Sequence, residues 1–292
     1  MIDRIYIARH GFRLNWLNTN WTSPTGLPRD PPLAAYGEAQ AKELAEYFLS
    51  LPPNERPTAI FSSPYYRCLQ TAEPVALALG LPIYVEHGIS EWYSPVVPGT
   101  GLHPRPGSAS DLQKFFPTID PTWESLWYAS RQGEDVAEVH TRTDSFLQTF
   151  VPAVEGALPY ESSVPPSEAG TSGTAHARLL LVSHAATVIT LARSLKGDPE
   201  LPLRVGCCSL TDFVRPAGGD TFESGRRVLG AWEARKLADG AHLKQGSSRE
   251  WGFEDIEVDH GKVVPDPGVP GTEQELDEPV GASPKAHRFS NL

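Results

Sequence analysis

Apolar residues along this chain follow two rhythms. Short apolar runs at residues 2–8, 58–61, 81–85 and 178–182 have the length of buried strands. Between them lie stretches with helical spacing. Ala39, Leu44, Tyr47 and Phe48 share one face of a helix expected from Leu33 to about Leu51, where Pro52-Pro53 ends it. Ser63-Pro64 has the form of an N-cap followed by proline at the first helical position. The helix it predicts runs through Leu69, Ala72, Ala76 and Leu79 to a C-terminal Gly80, with Pro74 costing one internal hydrogen bond. Further helices are expected over about 136–154 and over 185–195, the second stopped by Gly197. Late runs at 209–214 and 230–237, bounded by Gly and Asp, read as strands paired antiparallel at a sheet edge.

The remaining stretches lack either period. Residues 15–32 are rich in Asn, Thr, Pro and Trp and read as a long loop. Residues 94–138 combine many Pro and Gly with Phe115, Phe116, Trp123, Trp127 and Tyr128, which suggests an ordered insertion folded over something. Residues 155–177 read as a flexible surface loop, and 264–292 as a disordered acidic tail after a domain spanning 1–263, whose late β extension covers about 215–263.

Strands alternating with helices imply right-handed crossovers and a mainly parallel central sheet, a three-layer α/β sandwich. Three of the apolar runs deliver Arg or His at or just past their C-terminal ends: Arg9-His10-Gly11, Ser63-Pro64-Tyr65-Tyr66-Arg67, and Ser183-His184. Ligands of such sheets bind outside the carboxyl ends of the strands. Arg9, His10, Arg67 and His184 are therefore expected on one rim, where guanidinium forks match a phosphate. Arg67 falls in the first turn of its helix, where the dipole favours an anion. A neutral histidine is a competent nucleophile, and a second, protonated one would stabilise charge on a transferred group. The leaving oxygen needs a proton, and Glu91, just past the third run, is the natural donor, with Glu86 and Glu134 as competitors. Metal-binding Asp/Glu clusters and a glycine-rich phosphate loop are both absent from the sequence.

Composition narrows the setting. A net charge of −11 over 292 residues argues against general affinity for nucleic acid or an anionic membrane. No apolar run approaches 18 residues, and no basic segment precedes an apolar one at the N-terminus. Three cysteines without a CxxC pair point to a reducing compartment, so a cytoplasmic or nuclear location is expected. Cys207-Cys208 reads as buried strand.

Together, Arg9-His10-Gly11, then Ser63-Pro64 with Arg67 and Gln70-Thr71-Ala72, then Val182-Ser183-His184 resemble the histidine phosphatase superfamily over roughly residues 1–214. The resemblance implies a phosphoglycerate-mutase-like fold. It also implies His10 as a nucleophile forming a phosphohistidine, Arg9, Arg67 and His184 as phosphate-binding groups, Glu91 as proton donor, and no cofactor or metal. Arg13 stands where mutases carry Ser or Thr. With Glu91-Trp92 it resembles the branch of tyrosine phosphatases related to suppressors of T-cell receptor signalling. It also resembles fungal proteins that include a subunit of RNA polymerase III transcription factor IIIC. That branch implies Arg13 as a further phosphate or substrate cation. Two functions are carried forward: a phosphatase acting on a phosphorylated small molecule or phosphoprotein, and an assembly module in a large complex, with no direct nucleic-acid contact.

Overall fold

The computed structural model describes residues 1–157, 176–216, 228–259 and 262–284. Strands β1 (Ile2–Arg9), β2 (Ala59–Ser62) and β3 (Ile83–Val85) alternate with helices α1 (Ala35–Ser50) and α2 (Tyr66–Leu79). The insertion contributes the short α3 (Ala109–Leu112) and β4 (Trp127–Tyr128). Helix α4 (Val136–Ala157), β5 (Ala177–Ser183), α5 (Ala185–Lys196), β6 (Leu210–Val214) and β7 (Glu233–Asp239) complete the main layers. Small strands β8 (Val258–Asp259), β9 (Lys262–Val263) and β10 (Gly281–Ala282) follow.

The main sheet has the order β3-β2-β5-β1-β6-β7. The first four of these pair in parallel, while β6 and β7 are antiparallel at one edge, as the late apolar runs predict. Alternation along β1 decides its packing. Ile2, Ile5 and Ile7 join Phe146, Phe150, Ile189 and Leu191 on the α4/α5 face. Tyr6 and Ala8 join Leu44, Phe48, Leu69 and Val75 on the α1/α2 face. With both faces covered, β1 is one of the two central strands, and its C-terminal end carries Arg9 to the middle of the rim. The glycine stops hold as expected: Gly80 and Gly197 end α2 and α5 with φ of 65° and 70°.

Three local expectations are corrected. Helix α2 starts at Tyr66, with Tyr65 as N-cap, and not at Ser63-Pro64. Its first amide, Tyr66 N, donates to Asp30 Oδ2 at 2.9 Å, so a carboxylate from the long loop caps it. Cys207 and Cys208 are buried but lie in the turn before β6, where Cys208 has φ 54°. The third correction concerns the tail. Residues 264–284 form a strap across the insertion: Val269 N donates to Leu102 O, β10 pairs with β4, and Asp277 accepts from Arg105, Ser130 Oγ and the amides of Arg131 and Gln132. A Pro-, Gly- and acid-rich composition reads as disorder only when its carboxylates lack partners, and here arginines of the insertion supply them. The loop expected at 155–177 lies outside the described residues, apart from the end of α4 and the start of β5.

The aromatic insertion packs against the sheet at its β2 and β3 side. Trp123 meets Phe61 edge-on at 5.0 Å, and Ile119 bridges to Ile83 beside the sheet edge.

Candidate functional site

The carboxyl ends of β1, β2 and β5 bring Arg9, His10, Arg67 and His184 together. The His10 and His184 rings lie edge to face with centroids 5.4 Å apart. Glu91 and Arg13 join them: Arg9, His10, Arg13 and Glu91 line one pocket, and Arg67 and His184 each lie against Glu91. Of the competing acids, Glu86 is buried elsewhere, accepting from Gly88 N, Leu126 N and Trp123 Nε1, and Glu134 pairs with Arg142. Neither has a free carboxylate to offer.

His10 is held in one tautomer. Its Nδ1 lies 2.8 Å from Gly11 O, and a carbonyl only accepts, so Nδ1 carries the proton and Nε2 keeps its lone pair. Burial first, then the charges of Arg67 and Arg9, hold the ring's pKa well below its ordinary value. The imidazole is therefore neutral. The loop that carries it is fixed from both helices: Gly11 N donates to Thr71 Oγ1 of α2, and Phe12 N to Gln40 Oε1 of α1. Helix α1 approaches so closely that a Cβ on Gly37 would stand 2.2 Å from Phe12 O. No side chain larger than hydrogen fits there.

The cations differ in how they are balanced. Arg67 is fully buried between Asp30 and Glu91, 2.9 Å from each. Burial opposes its charge, but the two carboxylates outweigh that and keep it protonated. Arg9 is 6% exposed and has no ion pair among the described residues; its Nη1 donates to the carbonyls of Val205 and Arg249 at 2.7 and 2.6 Å. Arg13 lies over the Trp16 ring at 4.3 Å, and burial lowers its pKa to about 10. The Nε–H groups of Arg9, Arg13 and Arg67 are all buried without an acceptor. Three guanidinium groups against two carboxylates leave one net positive charge in the pocket, an arrangement that suits an anion.

His184 departs from one expectation. Its Nδ1 lies 3.2 Å from both Glu91 Oε2 and Arg67 Nη2, and its Nε2 lies 2.8 Å from Ser63 Oγ. Burial brings its pKa to about 4 despite the pull of Glu91, so the second histidine is neutral, not protonated. The consistent arrangement has Nδ1–H donating to Glu91 and the Ser63 hydroxyl donating to Nε2. For Glu91, burial alone would raise the carboxyl, but His184, Arg67 and Arg13 together hold it far below the carboxylate range.

Ligand atoms of His10, Glu91 and His184 lie within 4.8 Å of one another, close enough to share a metal ion. The surrounding arginines make the same space unfavourable for a cation and favourable for an oxyanion.

Sequence reasoning missed Asp30, Trp16, Ser63 as a histidine partner, and the aromatic wall of Trp92 and Trp251, whose ring centroids are 6.1 Å apart. These residues come from aperiodic segments or, for Ser63, from a motif read as a helix cap. No sequence signal besides proximity to the Arg-His-Gly motif marks Trp16.

Comparison with known proteins adds three findings. The sequence model described as the histidine phosphatase superfamily (branch 1) matches residues 5–158, a stretch holding Arg9, His10, Arg13, Arg67 and Glu91 but ending before His184. The chain is 39% identical over 225 residues to the Transcription factor tau 55 kDa subunit of Saccharomyces cerevisiae, covering 73% of this chain and 47% of that one. It is 35% identical over 119 residues to mouse Ubiquitin-associated and SH3 domain-containing protein A, covering 30% of this chain and 19% of that one. The chain thus spans about half the length, or less, of these relatives. Among solved structures, an ecdysone phosphate phosphatase from Bombix mori in complex with tungstate shares the fold, with a TM-score of 0.54 at 18% identity, covering 77% of this chain and 97% of that one.

Proposed function

This chain belongs to the histidine phosphatase superfamily, and from that premise we propose that it hydrolyses phosphate monoesters without a metal ion, through a phosphohistidine on His10. The observation that carries the reading is the His10 ring: neutral, locked by Gly11 O so that Nε2 keeps its lone pair, and lining one pocket with Arg9 and Arg13. In the first step Nε2 forms a bond to phosphorus as the ester P–O bond breaks, its electron pair leaving on the ester oxygen. Arg9, Arg13 and Arg67 balance the charge on the phosphoryl oxygens, with the N-terminal end of α5 at Ala185 and Ala186 lining the same pocket.

Glu91 supplies the proton to the leaving oxygen. It is ionised in the free protein because Arg67 and His184 hold it. A bound phosphate adds negative charge and draws both partners away, and each effect raises the carboxyl, so Glu91 takes up a proton as the substrate binds. In the second step the Glu91 carboxylate takes a proton from water, the water oxygen bonds to phosphorus, and the N–P bond breaks to release phosphate and neutral His10. The test is hydrolysis of 4-nitrophenyl phosphate with and without a chelator. His10→Ala is expected to abolish turnover and the chelator to leave it unchanged; unchanged turnover in His10→Ala overturns the assignment. Glu91→Gln is expected to slow alkyl phosphates more than 4-nitrophenyl phosphate, whose leaving group needs no proton.

A second reading is favoured by the 39% identity to a protein named as a transcription factor subunit. In it the chain acts in the nucleus as an assembly module, with the pocket active or idle. Stable association with a nuclear complex, indifferent to His10→Ala, supports that reading, and a monomeric enzyme without stable partners counts against it.

A further inference from the structure

The pocket does not end at the arginines. A cleft of about 430 Å³ continues past Arg13, Arg67 and Glu91 to Trp21, Tyr93, Arg29 and Asp266. Arg29 holds an uncommon backbone for a residue with a side chain, with φ 59°. That backbone is tied to the catalytic arginine on two sides: Arg29 O lies 3.5 Å from Arg67 Nη1, and the next residue is Asp30, the Arg67 partner. The Arg29 guanidinium faces the cleft, where Nη1 donates to Asp266 Oδ2 at 2.7 Å and lies 3.3 Å from His103 Nδ1, while Nη2 donates to Pro267 O. Asp266 belongs to the strap, and its side chain is 44% exposed. A half-exposed pair of this kind is weak and exchanges readily with a competing carboxylate.

We propose that Arg29 selects substrates carrying a second anionic group, a carboxylate or phosphate on the same molecule as the reacting ester, and that Asp266 takes that group's place in the free protein. The proposal rests on the phosphatase reading of the neighbouring pocket. It assigns the left-handed loop a purpose: to aim a second cation along the cleft at a fixed offset from Arg67. It also gives the strap a part in substrate choice, since displacement of Asp266 accompanies binding.

The test uses the full chain carrying His10→Ala, so that bound ester is not turned over, and calorimetry with phenyl phosphate, 4-carboxyphenyl phosphate and its longer phenylpropionate homologue. At least one carboxylated ligand is expected to bind about tenfold tighter than phenyl phosphate, the size of one charged hydrogen bond. Arg29→Gln is expected to bring that ratio to one, Asp266→Asn to widen it, and added salt to shrink it. A ratio near one in the parent, or a ratio that survives Arg29→Gln, overturns the proposal. Hydrolysis of 4-nitrophenyl phosphate by the wild-type chain reports separately on the phosphatase reading. Turnover with a ratio of one sinks only the selectivity of Arg29. A ratio of ten without turnover sinks only the phosphatase assignment.

Discussion

Asp30 Oδ1 lies 2.9 Å from Arg67 Nη1, with both side chains 1% exposed. The other Asp30 oxygen accepts the first amide of α2. One carboxylate thus caps the helix and fixes the guanidinium that its first turn carries. The free helix terminus that a sequence reader would offer to a phosphate is already occupied by the protein's own anion. Replacing Asp30 with Ala leaves Arg67 with Glu91 as its one carboxylate. The expected cost is about 3–5 kcal/mol, the usual size for breaking a buried pair. It should appear as a lower urea midpoint at constant slope. Asp30→Asn, which keeps an acceptor for Tyr66 N, should cost less. A loss below about 1 kcal/mol for the alanine variant would show that the pair adds little beyond the cap.

The histidines set an acid limit on stability. The folded protein holds His184 at about 4, below the ordinary 6.5, chiefly by burial. Between those values the unfolded chain binds a proton that the folded chain refuses, so stability rises with pH across that window. The contribution is whole above about 6.5 and is lost as pH falls toward 4; the gap corresponds to about 3 kcal/mol. His10 acts with the same sign. Glu91 adds a limb below the ordinary carboxylate value, since its own pKa is depressed. His184→Asn should therefore flatten the fall in unfolding free energy between pH 7 and pH 4.5. An unaltered slope would mean that the ring is solvated in solution.

Arg9 presents a trade between binding and stability. Its buried charge meets carbonyl dipoles but, among the described residues, no carboxylate within ion-pair distance. Arg9→Met removes an uncompensated buried charge, so the ligand-free protein is expected to gain about 1–2 kcal/mol. The same variant should lose the thermal stabilisation that tungstate or phosphate gives the wild type, which approaches about 2.7 kcal/mol at a hundredfold excess over Kd. Thermal melts with and without anion measure both halves. Destabilisation of the free protein together with normal anion response would refute the argument.

Gly37 ties the α1 helix to the loop bearing His10. Because a Cβ there meets the Phe12 backbone at 2.2 and 2.7 Å, Gly37→Ala must push residues 11–12 toward the pocket. Overpacking of this kind costs about 1–3 kcal/mol. A displacement of this loop moves the reacting nitrogen, so turnover should fall at least a hundredfold while the fold survives. Circular dichroism, melting temperature and steady-state rates on one preparation decide the matter; full activity in a folded Gly37→Ala protein would rule the coupling out.

The rim was readable because three buried strands end in charged residues, and burial on both faces leaves apolar runs that stand out at residues 2–8, 58–61 and 178–182. The partners of those residues were not readable. Asp30, Trp16 and Arg249 sit in segments without a period, and their approach to the pocket depends on backbone turns such as φ 59° at Arg29 and φ 53° at Arg249. The neutral state of His184 was missed for a related reason. A charge on paper looks available, and only its full burial shows that desolvation outweighs the attraction of Glu91. The strap was misread because its composition is that of a solvated tail, while its order comes from Asp266 and Asp277 meeting arginines more than 140 residues away in sequence.

The central place of β1 has a consequence for how the protein is made. Its two neighbours in the sheet are residues 177–183 and 210–214, so β1 is synthesised long before either strand it pairs with. Until β5 has been made, an apolar strand waits with both edges open, a state prone to wrong pairing and aggregation. Of the two carbonyl partners of Arg9, Val205 precedes β6 and Arg249 follows it. His10 is therefore synthesised long before the segments that complete its pocket.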